Sequence, residues 1–596
     1  MSSSPAVQVQ DVPTPEAEDS LSAAGLGLGA DFTHLAAMVE AASQRYAAQT
    51  AFTAVVPNGM NGSLTYAQVG ALSDAFAAYL REELKVPEGT RVAVQLPNGL
   101  AYPVAAFGSF KAGCVLVNTN PLYTAAEMEH QFRDSGVQVL VITELFADKL
   151  EGLIGRTSLR HVVVASVPEM FAAIPRGIVR VVQRWWSRAL PPIRVPHVRF
   201  MAAIARGREH LARLGGAAVV RRWWQPVGAD ATAVLQYTGG TTGVSKGAQL
   251  SHRNLLSNVA QIRAMGASHI EPGKECVLTA LPLYHVFAFT ANLLSFYDAG
   301  ARNVLIPSPR PVQNLQRAIE NTPVTWITGV NTLFNALLNE EWFVAYPPRR
   351  LKAAIAGGTA LHHAVAQRWE QVTGTRIVEG YGLTESSPVV TFNPLQGPPR
   401  VGSIGIPVPG TEVRLVDEQE REVPLGEPGE LIVRGPQVMQ GYWNQPAETA
   451  QVLKGGWLYT GDVAVVDGDG FYTIVDRKKD LILVSGFNVY PNEVEDAVSR
   501  LDAVMEAAVV GIPDETTGEA VRVYVVRRDE RLTAEEVTAH CRTALTGYKV
   551  PKSVVFRDEL PKTPIGKILR KDLKAEVKAE FARAAGAATA PAASQG

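Results

Sequence analysis

The sequence predicts an α/β protein: a large N-terminal domain of parallel-sheet αβ subdomains plus a small β subdomain, followed by a small α+β C-terminal domain. From about Phe32 to Val475, apolar strand-like runs alternate with amphipathic helical runs, which is typical of parallel strands covered by helices. After about Val401, short strands and Gly/Pro turns replace that alternation. A third pattern begins near Asp476, where the remaining chain has strands and a helix of its own.

Individual segments support this architecture. Strands are predicted at residues 91–96, 137–142 and 161–165, and helices at 66–84 and 125–134, while residues 426–434 exemplify the later pattern of short strands and Gly/Pro turns. In the C-terminal domain, strands are predicted at 507–511 and 521–526 and a helix at 533–545. We therefore place the two domains at residues 31–475 and 476–575. Residues 1–30 and the Ala-rich residues 576–596 are expected to be disordered.

The bulk composition is that of a globular protein from a reducing compartment. A chain of 596 residues should hold more than one domain, and 46% hydrophobic with 19% charged residues supply ample core. A net charge of −2 gives no reason to expect nucleic-acid binding. Cys114, Cys276 and Cys541 share no close spacing, so we expect no disulfide framework. Residues 1–30 have no basic start and no continuous apolar run, so no signal peptide is expected.

The most informative segment is a glycine-rich loop over residues 237–248, which follows a predicted strand at 231–237. Glycines let a backbone approach a ligand closely, hydroxyls and amides donate to phosphate oxygens, and a lysine adds positive charge. The loop departs from the Gly-Lys-Ser/Thr pattern of common nucleoside triphosphatases, because Val244 and Ser245 precede Lys246. We interpret it as a site for a nucleoside triphosphate, with a mobile surface loop as the alternative.

Three further segments carry side chains suited to a nucleotide site. Residues 379–385 combine a glycine-aromatic-glycine turn, suited to a purine face, with Thr384 for phosphate and Glu385 for Mg²⁺. Asp462 follows a glycine turn and suits the two hydroxyls of a ribose. Lys567 lies on a Pro/Gly-rich loop from which it can reach developing negative charge. Taken singly, each segment has a plain structural alternative: a tight turn for the first two, and a basic surface loop for the third.

In this order and at these spacings, the four segments resemble the motifs of the adenylate-forming superfamily, which includes acyl-CoA ligases, peptide-synthetase adenylation domains and beetle luciferases. The resemblance extends from about Phe32 to Lys574. Residues 279–288 and 470–491 are most similar to the corresponding segments of bacterial long-chain fatty-acyl-CoA ligases.

The resemblance implies a role for each matching residue. The β- and γ-phosphates of ATP would be held by Thr238, Gly239, Gly240, Thr241, Thr242, Gly243 and Lys246. The adenine pocket would be lined by Gly357, Gly358, Thr359, Glu379, Gly380, Tyr381 and Gly382. The chain departs from the family at Gly239 and Ser245, where Ser and Pro are commonest. Since three loop threonines still offer hydroxyls, we expect ATP use to be retained.

Other implied roles concern the ribose, the metal and the domain movement. Asp462 and Arg477 would bind the ribose. Thr384 would contact the α-phosphate, and Glu385 would bind Mg²⁺. Lys567 would reach the carboxylate and α-phosphate during adenylation, and Gly486 would guide the pantetheine arm of CoA. Asp476 would be the hinge of a mobile C-terminal domain, because the lysine must leave before a thiol can attack.

The implied activity is ATP-dependent activation of long-chain fatty acids to fatty-acyl-CoA through an acyl-adenylate, with ATP, Mg²⁺ and CoA required. It would feed fatty-acid degradation or lipid synthesis. A carboxylate lacks a good leaving group, which the adenylate supplies, so no covalent enzyme nucleophile is needed. The alternatives are an aryl-CoA ligase, a fatty-acyl-AMP ligase, or a non-catalytic, membrane-associated lipid-binding protein.

The acid pocket has several candidate walls in the large domain. They are His285, Val286, Phe287 and residues 330–338. His285 suits a gate beside the carboxylate, and a hydrogen-bonded core histidine is the alternative. Apolar walls suit an alkyl chain but also describe any core, so the preferred chain length does not follow.

Residues 175–199 predict a basic amphipathic helix at a membrane surface. Arginines recur every four residues, at Arg176, Arg180, Arg184 and Arg188. Apolar residues, including Trp185 and Trp186, fill the other faces, and a solvated arginine face is the alternative. We expect a cytoplasmic enzyme peripherally associated with anionic lipid at the inner face of the cell membrane, and the sequence leaves a homodimer open.

Overall fold

The computed structural model describes residues 32–183, 190–238, 245–397, 400–563 and 566–588. The helices are α1 Leu35–Arg45, α2 Tyr66–Ala78, α3 Ala101–Lys111, α4 Ala125–Ser135, α5 Ala173–Val181, α6 Phe200–Arg213, α7 Arg221–Trp224, α8 His252–Gly266, α9 Phe296–Asp298, α10 Gln316–Asn321, α11 Asn331–Leu338, α12 Glu341–Ala345, α13 His363–Thr373, α14 Pro446–Val452, α15 Pro491–Ser499, α16 Ala534–Ala544 and α17 Arg570–Ala588. A π-helical turn, Tyr79–Glu83, extends α2, and another, Ala288–Ser295, precedes α9.

The strands alternate with these helices through most of the chain. They are β1 Thr50–Val55, β2 Asn61–Thr65, β3 Arg91–Gln95, β4 Val115–Asn118, β5 Val139–Thr143, β6 His161–Ala165, β7 Val198–Arg199, β8 Thr232–Thr238, β9 Lys246–Ser251, β10 Cys276–Thr279, β11 Arg302–Leu305, β12 Trp326–Gly329, β13 Ala353–Ala356, β14 Ile377–Gly382, β15 Val389–Phe392, β16 Ile406–Pro407, β17 Glu412–Val416, β18 Gly429–Arg434, β19 Gly441–Tyr442, β20 Leu453–Lys454, β21 Trp457–Val466, β22 Tyr472–Arg477, β23 Ile482–Val484, β24 Phe487–Val489, β25 Val504–Asp514, β26 Gly518–Arg527 and β27 Ser553–Arg557.

Two largely parallel sheets form the large domain, as the alternating pattern predicts. One has the order β19-β9-β8-β4-β3-β5-β6-β7, in which β8 through β7 run parallel. The other has the order β16-β15-β14-β13-β12-β10-β11-β1-β2, with a parallel centre from β14 to β1. Helices α2, α3 and α8 contribute to the apolar core shared by both sheets.

Helix α4 shows why local sequence predicts these boundaries well. Thr124 Oγ1 accepts a hydrogen bond from the Glu127 amide at 3.3 Å, and Glu127 Oε2 accepts from the Thr124 amide at 2.8 Å. This reciprocal capping satisfies two free donors at the start of the helix. Gly136 ends the helix with a φ of 64°, a conformation that glycine adopts at little cost.

A buried polar chain joins the two sheets beneath the site. The Tyr102 hydroxyl donates to Asn118 Oδ1 at 2.6 Å, and Asn118 Nδ2 donates to Gln236 Oε1 at 2.8 Å. Gln236 Nε2 then donates to the carbonyl oxygen of Tyr284 at 2.9 Å. Because a buried polar group is costly unless paired, this chain fixes the ends of β4 and β8 against the segment after β10.

The remaining strands form two smaller sheets. The β subdomain has the antiparallel order β17-β18-β21-β20, with β22 paired to β21. The C-terminal domain has the order β24-β23-β26-β25, with β27 parallel to β26 and helices α15 to α17 around it. Strands β25 and β26 and helix α16 confirm the elements predicted at 507–511, 521–526 and 533–545.

The prediction that residues 576–596 are disordered is wrong for residues 576–588, because α17 extends to Ala588. Leu573 and Val577 are buried one turn apart, and Phe581 continues the same apolar stripe against β25 and β26. This stripe anchors a helix that the Ala-rich composition obscured. Residues 589–596 and the predicted extension 1–30 lie outside the described residues.

The predicted helix at 175–199 agrees with α5 at its start and is wrong from residue 190 onward. Helix α5 covers Ala173–Val181, and residues 190–197 are irregular before β7 pairs with β6. Pro191 and Pro192 account for this irregular segment, because proline lacks an amide donor and disfavours a helical residue before it. Arg184, Arg188 and both tryptophans lie outside the described residues. No helix in the described part of the chain has the length and hydropathy that crossing a bilayer requires.

Candidate functional site

A large cleft lies between the large domain and the C-terminal domain. Its volume is about 1340 Å³, more than a single small ligand requires. Residues at or just beyond the carboxyl ends of β8, β13 and β14 line it, as do Asp462, Arg477 and Lys567. Ligands of open α/β sheets bind at this edge, because the loops that follow parallel strands converge there.

The predicted phosphate side of the cleft lies at strands β8 and β9. Thr238 ends β8 and Lys246 begins β9, and both line the cleft. The residues predicted between them, Gly239, Gly240, Thr241, Thr242 and Gly243, lie outside the described residues.

Lys246 belongs to a small charged group at this end of the cleft. Its ammonium forms an ion pair with Glu448 of α14 and lies 5.2 Å from the centre of the Tyr442 ring. The Tyr442 hydroxyl donates to Glu385 Oε1 at 2.7 Å. A lysine and a carboxylate suited to polyphosphate and cation therefore lie on either side of one tyrosine. Sequence reasoning missed Glu448 and Tyr442, because they are distant from the predicted loop in sequence and come close to Lys246 only in the folded chain.

The predicted ribose residues are brought together with the predicted adenine residue. The Tyr381 hydroxyl donates to Asp462 Oδ2 at 2.6 Å, and Arg477 Nε lies 3.3 Å from Asp462 Oδ1. Asp462 and Arg477 are directly opposite each other in the β21–β22 pair. Asp462 thus faces the cleft with its orientation fixed from both sides.

Glycines keep the floor of this pocket flat at two positions, of which Gly382 excludes any side chain and Gly357 leaves only a tight contact for one. A Cβ at Gly382 would lie 2.0 Å from the carbonyl oxygen of Pro388. A Cβ at Gly357 would lie 3.1 Å from the Phe287 ring and 3.2 Å from the carbonyl oxygen of Gly380. The slot between these segments therefore depends on the absence of side chains.

Glu379 is a buried carboxyl in the same wall. It is 6% exposed, and its Oε1 accepts a hydrogen bond from the Leu361 amide at 3.0 Å. Burial raises the pKa of Glu379 to about 8, so the side chain is mostly protonated at neutral pH. Its Oε2 is buried and has no hydrogen-bond partner among the described residues. Gly358, Thr359 and Gly380 line the cleft beside it.

Lys567 reaches the cleft from the C-terminal domain. Its amide donates to Thr563 Oγ1 at 3.0 Å, which fixes the loop that carries it. Burial and then the nearby Arg477 cation lower the pKa of Lys567 to about 7. Burial and then the charge of Lys567 lower the pKa of His285 to about 4, so this imidazole is neutral at physiological pH. Thr384 and Glu385 line the same cleft in a short helical turn after β14.

Asp476 lies in a buried ionic cluster at the end of β22. Its Oδ1 accepts from Arg570 Nη1 at 3.2 Å, and its Oδ2 accepts from the Asn492 amide at 2.9 Å. Burial raises the pKa of Asp476 to about 6, although the positive charge of Arg570 opposes the shift. Arg570 also donates to Glu495 Oε2 at 2.7 Å. The motif around Lys567 contains Arg570, but its partners could not be identified without the fold.

Gly486 is not among the described residues that line the cleft. It occupies the turn between β23 and β24 with a φ of 82°, which glycine tolerates.

The acid side of the cleft differs partly from the predicted walls. His285, Val286 and Phe287 line it, but from 330–338 only Asn331, Thr332 and Asn335 do so. The apolar residues of α11 face the core instead. An apolar extension missed by sequence reasoning includes Ile262, Met265, Ile270, Ala291, Phe296, Trp326, Ile355 and Leu395.

These features define an adenylate-forming class of protein, and comparison with known proteins shows the same family. The AMP-binding enzyme model matches residues 39–443, and the model of the AMP-binding enzyme C-terminal domain matches residues 493–567. The chain therefore belongs to the AMP-binding enzyme family.

Particular relatives match along nearly the whole chain. A long-chain-fatty-acid–CoA ligase of Yersinia pestis is 48% identical, over 91% of this chain and 94% of the relative. A ligase of the same name from Escherichia coli O6:H1 is 46% identical, over 92% of this chain and 95% of the relative. The crystal structure of the anthranilate CoA ligase AuaEII with anthranoyl-AMP is 25% identical, with a TM-score of 0.78 over 92% of this chain and 98% of that one.

Proposed function

We propose that this chain activates long-chain fatty acids to fatty-acyl-CoA through an acyl-adenylate, releasing AMP and pyrophosphate. The observation that carries the proposal is a single cleft in which a nucleotide-type site, built on Tyr381 and Asp462, continues into an apolar extension. The similarity to ligases that carry this name supports the long-chain acid over an aromatic one.

The nucleotide would be held by groups already in place. The flat slot beside Gly357 and Gly382 and the Tyr381 ring suit an adenine, and Asp462 can accept both ribose hydroxyls. Arg477 pairs with the Asp462 carboxylate and helps to orient it. Little reorganisation is therefore needed when ATP binds.

In the first half-reaction, an oxygen of the fatty-acid carboxylate attacks the α-phosphorus, and the bond from that phosphorus to pyrophosphate breaks. Lys567 would stabilise the charge that concentrates there. This lowered pKa is that of the protein without ATP, whose negative charge would raise the pKa again. Thr384 would donate to the α-phosphate, while Thr238 and Lys246 would hold the departing pyrophosphate.

Glu385 would hold Mg²⁺, which neutralises phosphate charge when bound. Carboxylate and hydroxyl oxygens are ligands that this cation prefers, and Tyr442 fixes one oxygen of Glu385. Among the described residues, no cluster of three or more His, Cys, Asp or Glu side chains could hold a metal ion unaided. This agrees with a site completed by substrate phosphates and water.

In the second half-reaction, the thiol of CoA attacks the acyl carbonyl, and the bond to AMP breaks. The loop carrying Lys567 would first have to leave the cleft. Movement of residues 476–575 against 31–475 would change the backbone at Asp476, and it would bring Gly486 toward the pantetheine arm.

The alkyl chain would occupy the apolar extension of the cleft. Each buried methylene contributes about 0.8 kcal/mol, so a long chain gains far more there than a short one. Neutral His285, with Nδ1 3.4 Å from the Phe287 amide, would present its Nε2–H to the carboxylate.

We also propose contact with the membrane surface through α5. Ile174 and Val181 are 76% and 58% exposed, close to Arg176 and Arg180 on the same short helix. Exposed apolar residues beside cations suit an anionic bilayer. The enzyme would then work in the cytoplasm against the inner face of the cell membrane, where its acid is concentrated.

Product analysis with a panel of acids tests the proposed reaction. Purified protein with ATP and Mg²⁺ should convert palmitate to its CoA thioester and AMP, and should convert benzoate or ferulate far more slowly. A preference for aromatic acids would indicate an aryl-CoA ligase, and accumulation of acyl-AMP despite CoA would indicate a fatty-acyl-AMP ligase. Absence of pyrophosphate exchange with any acid would indicate a non-catalytic lipid-binding protein.

A further inference from the structure

We infer that Arg310 and Thr332 are positioning residues that hold Lys567 in place for the first half-reaction only; this inference rests on the proposed function. Both residues belong to the large domain and lie outside the segments predicted to bind nucleotide. Arg310 follows β11, and Thr332 lies in the first turn of α11.

Both side chains donate to the backbone of the loop that carries Lys567. Thr332 Oγ1 donates to the carbonyl oxygen of Gly566 at 3.2 Å, and Arg310 Nη2 donates to that of Thr563 at 3.3 Å. The Gly566 amide also donates to the carbonyl oxygen of Thr563 at 2.9 Å, so the two docked residues are bonded to each other directly before Lys567. Since the acceptors are backbone atoms, the contacts report the position of the loop itself.

Bonds inside the loop transmit that position to Lys567. The Thr563 amide donates to the carbonyl oxygen of Lys567 at 2.7 Å, and the Lys567 amide donates to Thr563 Oγ1 at 3.0 Å. Lys562 and Ile568 form an antiparallel bridge one residue further out. A loop closed in this way moves as a unit, so a shift at Gly566 or Thr563 displaces Lys567 as well.

The approach of Gly566 to Thr332 is close enough to require glycine. Gly566 has a φ of 93°, and a Cβ there would lie 2.6 Å from Thr332 Oγ1. The docked arrangement is therefore specific to this loop sequence rather than a loose surface contact.

A third contact extends the same docking surface. Asn335, one turn after Thr332 on α11, donates from Nδ2 to the carbonyl oxygen of Met505 at 3.0 Å. Glu506 forms an ion pair with Lys562 at 2.7 Å, which connects this second contact segment to the lysine loop. Helix α11 and Arg310 thus hold one continuous face of the C-terminal domain. All three contacts must break if that domain turns away for the second half-reaction.

Separate measurement of the two half-reactions tests this role. Adenylation is followed as palmitate-dependent ATP–pyrophosphate exchange, and thioester formation is followed from supplied palmitoyl-AMP and CoA. We expect Thr332→Val or Arg310→Ala to slow adenylation about fivefold to tenfold, the usual effect of losing one hydrogen bond. Thioester formation should be unchanged or faster, because the docked position of the C-terminal domain is weakened relative to the position that thioester formation requires. Arg310→Lys, which can donate to the same carbonyl, should recover part of the adenylation rate.

The control is Arg317→Ala, which removes an exposed arginine that pairs with Glu320 at 3.1 Å on α10. It should leave both half-reactions at the wild-type rate. Equal loss of both half-reactions in Thr332→Val and Arg310→Ala, or no loss in either, would overturn the inference. Failure of the wild-type protein to exchange pyrophosphate would instead defeat the proposed function, so the two failures are distinguishable.

Discussion

The Tyr381 hydroxyl lies 2.6 Å from Asp462 Oδ2, and this hydrogen bond joins β14 of the large sheet to β21 of the β subdomain. On its other side, Asp462 meets Arg477 at 3.3 Å. An aromatic face and an acceptor for two hydroxyls are thereby held in one geometry before any ligand arrives.

Asp462→Asn should weaken ATP binding while preserving the fold. An amide keeps the shape but loses a charged acceptor, which costs about 1.5–3 kcal/mol, or roughly tenfold to a hundredfold in KM for ATP. Steady-state kinetics at saturating palmitate measure this. Asp467→Asn is the control, because Asp467 pairs with Arg400 at the surface of the same subdomain. A similar rise in KM for both variants would contradict a specific contact from Asp462.

The dependence of kcat/KM for ATP on pH should show the ionisation of Lys567. Burial lowers the pKa of Lys567 to about 7, so the enzyme without ATP loses this positive charge as the pH rises through that value. Because kcat/KM reports ionisation of the free enzyme, kcat/KM for ATP should fall above about pH 7. His285, with a pKa near 4, is neutral throughout this range and cannot cause the fall.

Glu379 ionises nearby, at about pH 8, and provides the necessary comparison. Glu379→Gln cannot ionise and should retain the fall in kcat/KM, whereas Lys567→Arg should abolish it, because arginine keeps its charge. If kcat/KM for ATP no longer fell above pH 7 in Glu379→Gln but still fell in Lys567→Arg, the ionising group would be Glu379 instead of Lys567.

Ala291→Phe should shift the substrate preference toward fatty acids with shorter alkyl chains. Ala291 lines the apolar extension, so a benzyl group there would occupy space that an alkyl chain requires. We expect kcat/KM for palmitate to fall at least tenfold, while the value for butanoate stays within about twofold and serves as an internal control. Equal loss for both acids would show that the substitution damages the site generally and would place the alkyl chain elsewhere.

The double variant Ile174→Ser with Val181→Ser should bind more weakly to vesicles of phosphatidylglycerol and phosphatidylcholine. Two exposed apolar side chains would be lost from α5, while Arg176 and Arg180 remain. The vesicle partition coefficient measured by cosedimentation should fall at least tenfold, since each side chain contributes about 1.5–3 kcal/mol when fully buried and less when it inserts only partly. Leu425→Ser is the control, as Leu425 is 67% exposed on the β subdomain. Unchanged binding, or an equal effect of the control, would contradict membrane contact through α5.

Sequence alone identified the parts of the site that carry distinctive residue types. Asp462 and Lys567 stand in short segments with glycine or proline, Arg477 was implied only by the family resemblance, and the fold brings all three to one cleft. The alternating segments likewise predicted both parallel sheets, because strand and helix periodicities are local properties.

Other features depend on contacts between distant segments. Glu448 meets Lys246 only because α14 lies beside the β8–β9 hairpin. Phe296 and Trp326 line the cleft, but their apolar neighbours along the chain are ordinary core, so sequence could not separate the two groups. The irregular chain from residue 190 and the length of α17 were mispredicted because composition outweighed Pro191 and the spacing of Leu573 and Val577.

The proposed mechanism depends above all on Lys567 acting in one half-reaction and not the other. In Lys567→Ala, palmitate-dependent ATP–pyrophosphate exchange should fall at least a thousandfold, because the lost cation faces charge developing in the transition state. Formation of palmitoyl-CoA from supplied palmitoyl-AMP and CoA should continue at close to the wild-type rate. Pyrophosphate exchange at a normal rate in this variant would contradict the proposed role of Lys567 and the assignment of the cleft as the adenylation site.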